Sequence, residues 1–507
     1  MKLLTCAILL SGSLAWPALA QPTASSLAAI RTIVVIYAEN RSFDNLYGRF
    51  PGADGLANAP ASATIQRDRD GTPLAELPPA WGGLTGHGVT PAITQAMSAH
   101  LPNRPFAIDD PAGFNAGIGV TTRDLWHRFY QNQMQINGGR NDMFVAWANS
   151  GGLVMGIYDG SKLPMWSIAQ KYVLADAFFM GTFGGSFLNH FYLVCACVPT
   201  YPGAAESAAH PVTAQVDAAG VALRTAPDSP KSALQGPPKF IADGAISPDD
   251  FAVNAMQPPY QPSNNPPPPG GDPRFADPAR PSSLPPQTKT HIGDLLSAAG
   301  IDWAWYAGAW QAALDGNTAD PPNFQTQHAV FNYFADMAPG NPARAAHLRD
   351  GGMDGAGFLA AIDAGTLPPV AFYKPQGNLN EHPGYASAAS GDQHLADIVH
   401  HLERSPQWPH MVVVVTYDEN GGFWDHAAPP RADRWGPGTR IPAFVISPFA
   451  RMGSIDHTPN DTGSILRLIT RRFGLPVLDG LEARAAAMRA AGAPPLGDLT
   501  EALALPD

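Results

Sequence analysis

Apolar residues in this chain gather in short, nearly unbroken runs rather than alternating with polar ones. Arg-Thr-Ile-Val-Val-Ile-Tyr-Ala at 31–38 and Met-Val-Val-Val-Val-Thr-Tyr at 411–417 are the clearest. Runs of this kind, rich in β-branched residues, predict strands covered on both faces, since a strand with one wet face would alternate. Shorter runs at 369–373 and 443–447 repeat the pattern, and 301–306 is an aromatic version of it. Helix-like stretches at 291–299 and 394–403 lie between them. The alternation predicts an α/β fold with a largely parallel central sheet flanked by crossover helices.

Composition changes that picture in two places. With 52 prolines and 50 glycines among 507 residues, long ordered loops are expected. The densest stretch, about 258–286, contains Asn-Asn-Pro-Pro-Pro-Pro-Gly-Gly and resists both helix and central strand. It reads as an insertion into a single domain spanning 21–507, because strand-like runs on both sides fit one sheet. Residues 1–20 carry one charge, Lys2, then an apolar stretch ending in Ala-Leu-Ala. That is the pattern of a cleavable export signal, so a periplasmic or secreted protein without stable membrane insertion is expected.

The net charge of −12 argues against a nucleic-acid-coating surface, although a local cation can still invert the potential at one phosphate site. Cys6 falls in the leader, and Cys195 and Cys197 stand one residue apart in an apolar run. A bridge between such close neighbours is expected to be badly strained, so two buried thiols are anticipated. Oligomeric state is not readable from the sequence.

Chemistry concentrates where apolar runs end. Val-Val-Ile-Tyr-Ala leads into Glu39-Asn40, and Val-Val-Val-Thr-Tyr leads into Asp418-Glu419-Asn420. In an open parallel sheet the carboxyl ends of strands line the ligand crevice, so the two pairs converge if their strands are neighbours. Three acids in one crevice repel one another unless a divalent cation joins them, and carboxylate and amide oxygens suit calcium, magnesium, manganese or zinc. Gly184-Gly185-Ser186-Phe-Leu-Asn189-His190 adds a hydroxyl after two glycines, which let backbone donors approach a phosphate. It is not a Gly-x-Ser-x-Gly elbow, so a serine esterase loses its main support. His127, His328 and His382 stand in loops from which an imidazole could protonate a leaving alkoxide. Asp425-His426 is either a pair orienting the ligands or a capped turn.

Glu39-Asn40-Arg-Ser-Phe-Asp44-Asn-Leu-Tyr-Gly48, the Gly-Gly-Ser186 block and Tyr-Asp418-Glu419-Asn-Gly-Gly-Phe-Trp-Asp425-His426 together resemble the bacterial family of secreted acid phosphatases and phospholipases C. The resemblance implies an alkaline-phosphatase-like core, one divalent metal on Glu39, Asn40, Asp418 and Glu419 together with Ser186, and a phosphoserine intermediate on Ser186. It also places active-site histidines at His127, His328 and His382, with Gln327 a departure from the pattern beside His328. The segment 131–147 looks closer to the acid phosphatases, and the nucleophile lacks the Thr-x-Pro-Asn-Arg context of the phospholipases. A broad phosphomonoesterase acting on small phosphorylated substrates is therefore the first expectation. Phospholipase C acting on phospholipid head groups comes second, and a non-catalytic phosphate-binding protein third.

Overall fold

The computed structural model describes residues 23–318 and 322–506. The expected export signal lies outside the described residues. Its centre is an eight-stranded sheet whose strands are β1 Thr32–Ala38, β2 Val173–Ala175, β3 Trp303–Gly308, β4 Leu348–Gly352, β5 Val370–Lys374, β6 Met411–Tyr417, β7 Ala443–Ile446 and β8 Ser454–Asp456. Their order across the sheet is β8-β2-β7-β6-β1-β5-β3-β4. β7 alone runs against its neighbours β6 and β2; the other pairs are parallel. The expected parallel α/β class is thus observed, and all five apolar runs became strands of this sheet.

β1 and β6 sit at the middle, buried along their whole length, which is why neither shows alternation. They pair in parallel from Thr32 opposite Met411 to Ala38 opposite Tyr417, so both strands end at the same level. Among the helices are α1 Phe129–Ile136, α2 Pro164–Lys171, α3 Ser186–Cys195, α4 Ile292–Ala298, α5 Ala388–Arg404 and α6 Thr462–Phe473. α5 begins at Ser387, whose hydroxyl accepts from the Ser390 amide, and its apolar face packs on α2. α3 packs against α6. Among the described residues no helix is long and apolar enough to cross a membrane.

The segment 258–286 forms no helix or strand; isolated bridges such as Tyr260 to Phe275 hold it. Strands on both sides of it, β2 and β3, belong to the one sheet. The expectation of two free thiols is corrected: Cys195 and Cys197 form a disulfide with their Cα atoms 5.0 Å apart. Ala196, at the end of α3, takes the left-handed conformation (φ 48°, ψ 36°). That turn folds the chain back on itself and brings the two Cα atoms into the range of about 4.4–6.8 Å in which a bridge closes.

Candidate active site

The shared level of β1 and β6 decides the site. The residues that follow each strand, Glu39-Asn40 and Asp418-Glu419, are forced side by side at the carboxyl edge of the sheet. Asn40 adopts φ 59°, a left-handed conformation that asparagine tolerates better than most residues. There its backbone amide donates to Asp418 Oδ1 at 3.1 Å, joining residues 378 positions apart. The Glu419 amide donates to the same oxygen at 2.8 Å, and the Gly421 amide donates to Glu419 Oε2 at 2.5 Å. Gly421 is required here, because at φ +60° an added Cβ would lie 2.2 Å from the Asn40 carbonyl oxygen.

Ser186 is the first residue of α3, with Gly185 as its cap. A Cβ on Gly184 would meet the Phe129 backbone at 2.6 Å, and one on Gly185 would meet the His127 carbonyl at 2.7 Å. The two glycines therefore let this turn lie against the 127–129 segment. The hydroxyl so placed faces both acid loops, with Oγ donating to Glu39 Oε2 at 3.1 Å or to Asn40 Oδ1 at 3.4 Å. The free amides and dipole at the start of α3 favour negative charge at this point.

Two further residues complete the cluster: Lys374, which sequence reasoning passed over, and His190, which it noted only as a side chain able to reach a bound anion. Lys374, the last residue of β5, bonds Glu39 Oε1, and it reached the centre because β5 is the other neighbour of β1. Its signal, a lysine closing an apolar strand, was available in the sequence. His190, one helical turn after Ser186, has Nδ1 2.7 Å from the Ser186 carbonyl, so that nitrogen carries the proton. Its Nε2 has no partner.

The three histidines expected at the site are all near it. His328 Nε2 lies 3.1 Å from Glu39 Oε1, and its ring stacks on that of His190 at 5.2 Å, despite the departure at Gln327. His127 Nδ1 donates to the Leu125 carbonyl at 2.6 Å, while Nε2 stands 3.4 Å from Asn40 Nδ2 and 3.6 Å from Glu419 Oε1. His382 packs edge-on to His127, 5.5 Å between centroids. Of the three, His127 alone is appreciably accessible, its side chain 18% exposed. It lines a cavity of about 170 Å³ with Arg128, Gly185, Ser186, Phe187 and Gln327.

Glu39, Asp418 and Glu419 are fully buried. Burial raises Glu39, but the opposing charges of His328 and Lys374 outweigh it and hold this carboxyl well below the usual range. Burial and then the Glu39 charge push Asp418 well above its ordinary value, and burial and then the Asp418 charge do the same to Glu419. Burial also lowers His190 and His328, and drives His382 down to about 4. The site is thus short of positive charge. The geometry agrees: Asp418 Oδ2 and Glu419 Oε1 have no hydrogen-bond partner, while the other oxygen of each acid is held by a backbone amide. Glu39, His190 and Asp418 each offer an atom within 4.8 Å of the others, a set that could hold a metal ion.

Asp425 and His426 lie further along the second loop and form a separate cluster with Asp44. Here Arg440 donates to Asp425 Oδ1 at 2.9 Å and to Asp44 Oδ1 at 3.2 Å. The Asp44 amide donates to Asp425 Oδ2 at 2.9 Å, and His426 Nδ1 sits 2.6 Å from Asp44 Oδ2. The pair ties the loop after β1 to the loop after β6.

Comparison with known proteins places this arrangement. Phospholipase C A of Mycobacterium tuberculosis is 24% identical over 489 residues, which cover 90% of this chain and 75% of that protein. The non-hemolytic phospholipase C of Burkholderia pseudomallei is also 24% identical, covering 90% of this chain and 57% of its own length. A solved protein of the alkaline phosphatase superfamily from Vibrio parahaemolyticus overlays 74% of this chain and 67% of its own with a TM-score of 0.30 and 10% identity. A likeness that slight carries no argument about chemistry. The model of the Phosphoesterase family, by contrast, matches residues 30–476, a span that takes in both acid-bearing strand ends, Ser186 and Lys374. With a match over that length, the chain belongs to the phosphoesterase family and is a phosphoric ester hydrolase.

Proposed function

We propose that the chain is a metal-dependent phosphomonoesterase that works through a phosphoserine on Ser186. Glu39, Asn40, Ser186, Asp418 and Glu419 would hold one divalent ion. The observation that carries the reading is the sidedness of the carboxylates. One oxygen of each acid is tied down, Glu39 Oε1 by Lys374, Asp418 Oδ1 and Glu419 Oε2 by amides, and the second is left to Ser186 or to nothing. Buried carboxylate oxygens without partners are costly, and a cation is what such a set accommodates. When bound, the ion polarises a phosphoryl oxygen and favours the alkoxide of serine.

The remaining work falls to side chains. Ser186 Oγ forms the bond to phosphorus as the ester bond breaks, with the amides at the start of α3 facing the phosphoryl oxygens. His127 protonates the departing oxygen, since it lines the open cavity beside Ser186 and is linked to it through the Asn40 amide. The same imidazole then takes a proton from the water that attacks phosphorus, and the Oγ–phosphorus bond breaks to return Ser186 to the form in which it attacked. His328 and His382, both buried, orient the site: His328 against Glu39, and His382 behind His127.

The monoester reading is put first because the cavity beside Ser186 is small, about 170 Å³, against roughly 300–1,000 Å³ for sites that enclose larger ligands. The second reading, phospholipase C, rests on relatives of that name aligned over 90% of the chain. Hydrolysis of p-nitrophenyl phosphate and p-nitrophenyl phosphorylcholine, before and after chelation and metal add-back, decides between them. Faster metal-dependent turnover of the monoester is expected; preference for the diester moves the assignment to phospholipase C, and silence on both leaves a binding protein. Ser186→Ala is expected to lose on the order of a thousandfold or more in turnover with metal content nearly unchanged, since the other four ligands remain, and turnover close to wild type would remove Ser186 from its role.

A further inference from the structure

Lys374 is the least expected residue of the site. Its side chain is 1% exposed, and its ammonium bonds Glu39 Oε1, lies 3.4 Å from the Ala38 carbonyl and sits 5.3 Å over the Tyr37 ring. A lysine is almost never fully buried unless paired, because stripping water from the ammonium costs several kcal/mol. Here the partner is an acid that already faces Ser186 with its other oxygen. Resting on the metal reading above, we propose that Lys374 is a positioning residue that acts as a built-in counter-ion of the metal site. It clamps Glu39 by the outer oxygen, turns Oε2 toward Ser186, and leaves a charge that one divalent ion completes.

The charge argument is direct. Glu39, Asp418 and Glu419 are three acids fully withdrawn from water. With the ammonium present they carry two net negative charges when ionised, which a single divalent ion neutralises; without it, that ion leaves one buried negative charge unmet. His328 also lies 3.1 Å from the same Glu39 oxygen, so Oε1 is held by two side chains while Oε2 faces Ser186. A fixed ammonium also repels the incoming ion, so the clamp trades metal affinity for the orientation of Glu39.

The test is calorimetry of the full chain stripped with EDTA and then titrated with Mn²⁺, for wild type, Lys374→Met and Lys374→Arg. In Lys374→Met the stripped protein is expected to melt lower than wild type and its gain in Tm on adding Mn²⁺ to be at least doubled. Lys374→Arg is expected to restore the wild-type gain. An equal gain in wild type and Lys374→Met overturns the inference while leaving the metal reading intact, whereas no gain in wild type removes the metal reading and the inference with it. Should Lys374→Met fail to fold even with Mn²⁺, the Glu39→Gln/Lys374→Met pair, which removes both charges, decides the matter. Folding of that double variant supports the counter-ion role, and its failure assigns Lys374 to packing and overturns the proposal.

Discussion

Two clusters of acid and histidine lie within a few residues of each other on the same pair of loops, and they have opposite electrostatic characters. In the first, Glu39, Asp418 and Glu419 share one lysine and leave two carboxylate oxygens without partners. In the second, Asp44 and Asp425 close around Arg440, and every carboxylate oxygen is bonded. Gathering acids is therefore not what marks a cation site. The presence of a guanidinium, with donors enough to satisfy both acids at once, turns the same ingredients into a clasp.

The largest effect expected from this contrast is on metal-dependent activity. Asp418→Asn should lose turnover on the order of a hundredfold or more together with bound metal, while the metal-free protein melts no lower than wild type, because the change removes a buried charge that nothing balances. Metal analysis and calorimetry on one preparation read both; a metal-free melting point well below wild type would show Asp418 to be a structural acid like Asp425. Next comes Arg440→Met, which strands two buried carboxylates. It should cost about 3–5 kcal/mol of stability and leave the metal content of the surviving folded protein unchanged, as chemical denaturation and metal analysis would show.

A smaller effect is pH dependence in the clasp. Burial lowers His426, but the Asp44 carboxylate outweighs it and lifts the imidazole to about 9. A raised folded value means stability that is fully present below the unfolded value of about 6.5 and is lost as pH rises through about 9. Wild type should thus lose stability between pH 7 and 10 more steeply than His426→Gln, and parallel curves would disprove the linkage. The smallest effect is at the rim: Asp54, half exposed and 3.4 Å from His426 Nε2, should matter by about 1 kcal/mol or less when changed to Asn.

Much of this contrast was legible before any coordinates. The apolar runs announced β1 and β6, and the acids just past them announced the site, because a doubly buried parallel strand leaves little ambiguity about where it ends. The edge of the sheet was not legible: β2 and β8 are three residues each, and β4 reads Leu-Arg-Asp-Gly-Gly, the composition of a loop. Lys374 escaped because a strand-end lysine usually faces water, and only the pairing of β5 with β1 turns it inward. His190 was noted only as a side chain able to reach an anion, because its place beside the acids follows from the helix that Ser186 begins. The disulfide was misread because nothing in Cys-Ala-Cys reveals that the alanine is left-handed. Asp425 and His426 were left between two roles, and the arginine that decides them comes from the end of the loop leading into β7.

The central position of β1 also sets a timetable. Its two neighbours, β5 and β6, are supplied by residues 370–374 and 411–417, so the strand that leads into Asn40 is made well before either of them, 378 residues ahead of the Asp418 that Asn40 bonds. Contacts of such sequence separation are slow to form and expensive in loop closure. A nascent or prematurely ended chain, however long, has no assembled centre until Asp418 and Glu419 have been added. On the proposed metal site, hydrolytic competence waits for those two acids, and a copy ended before them is an inert one.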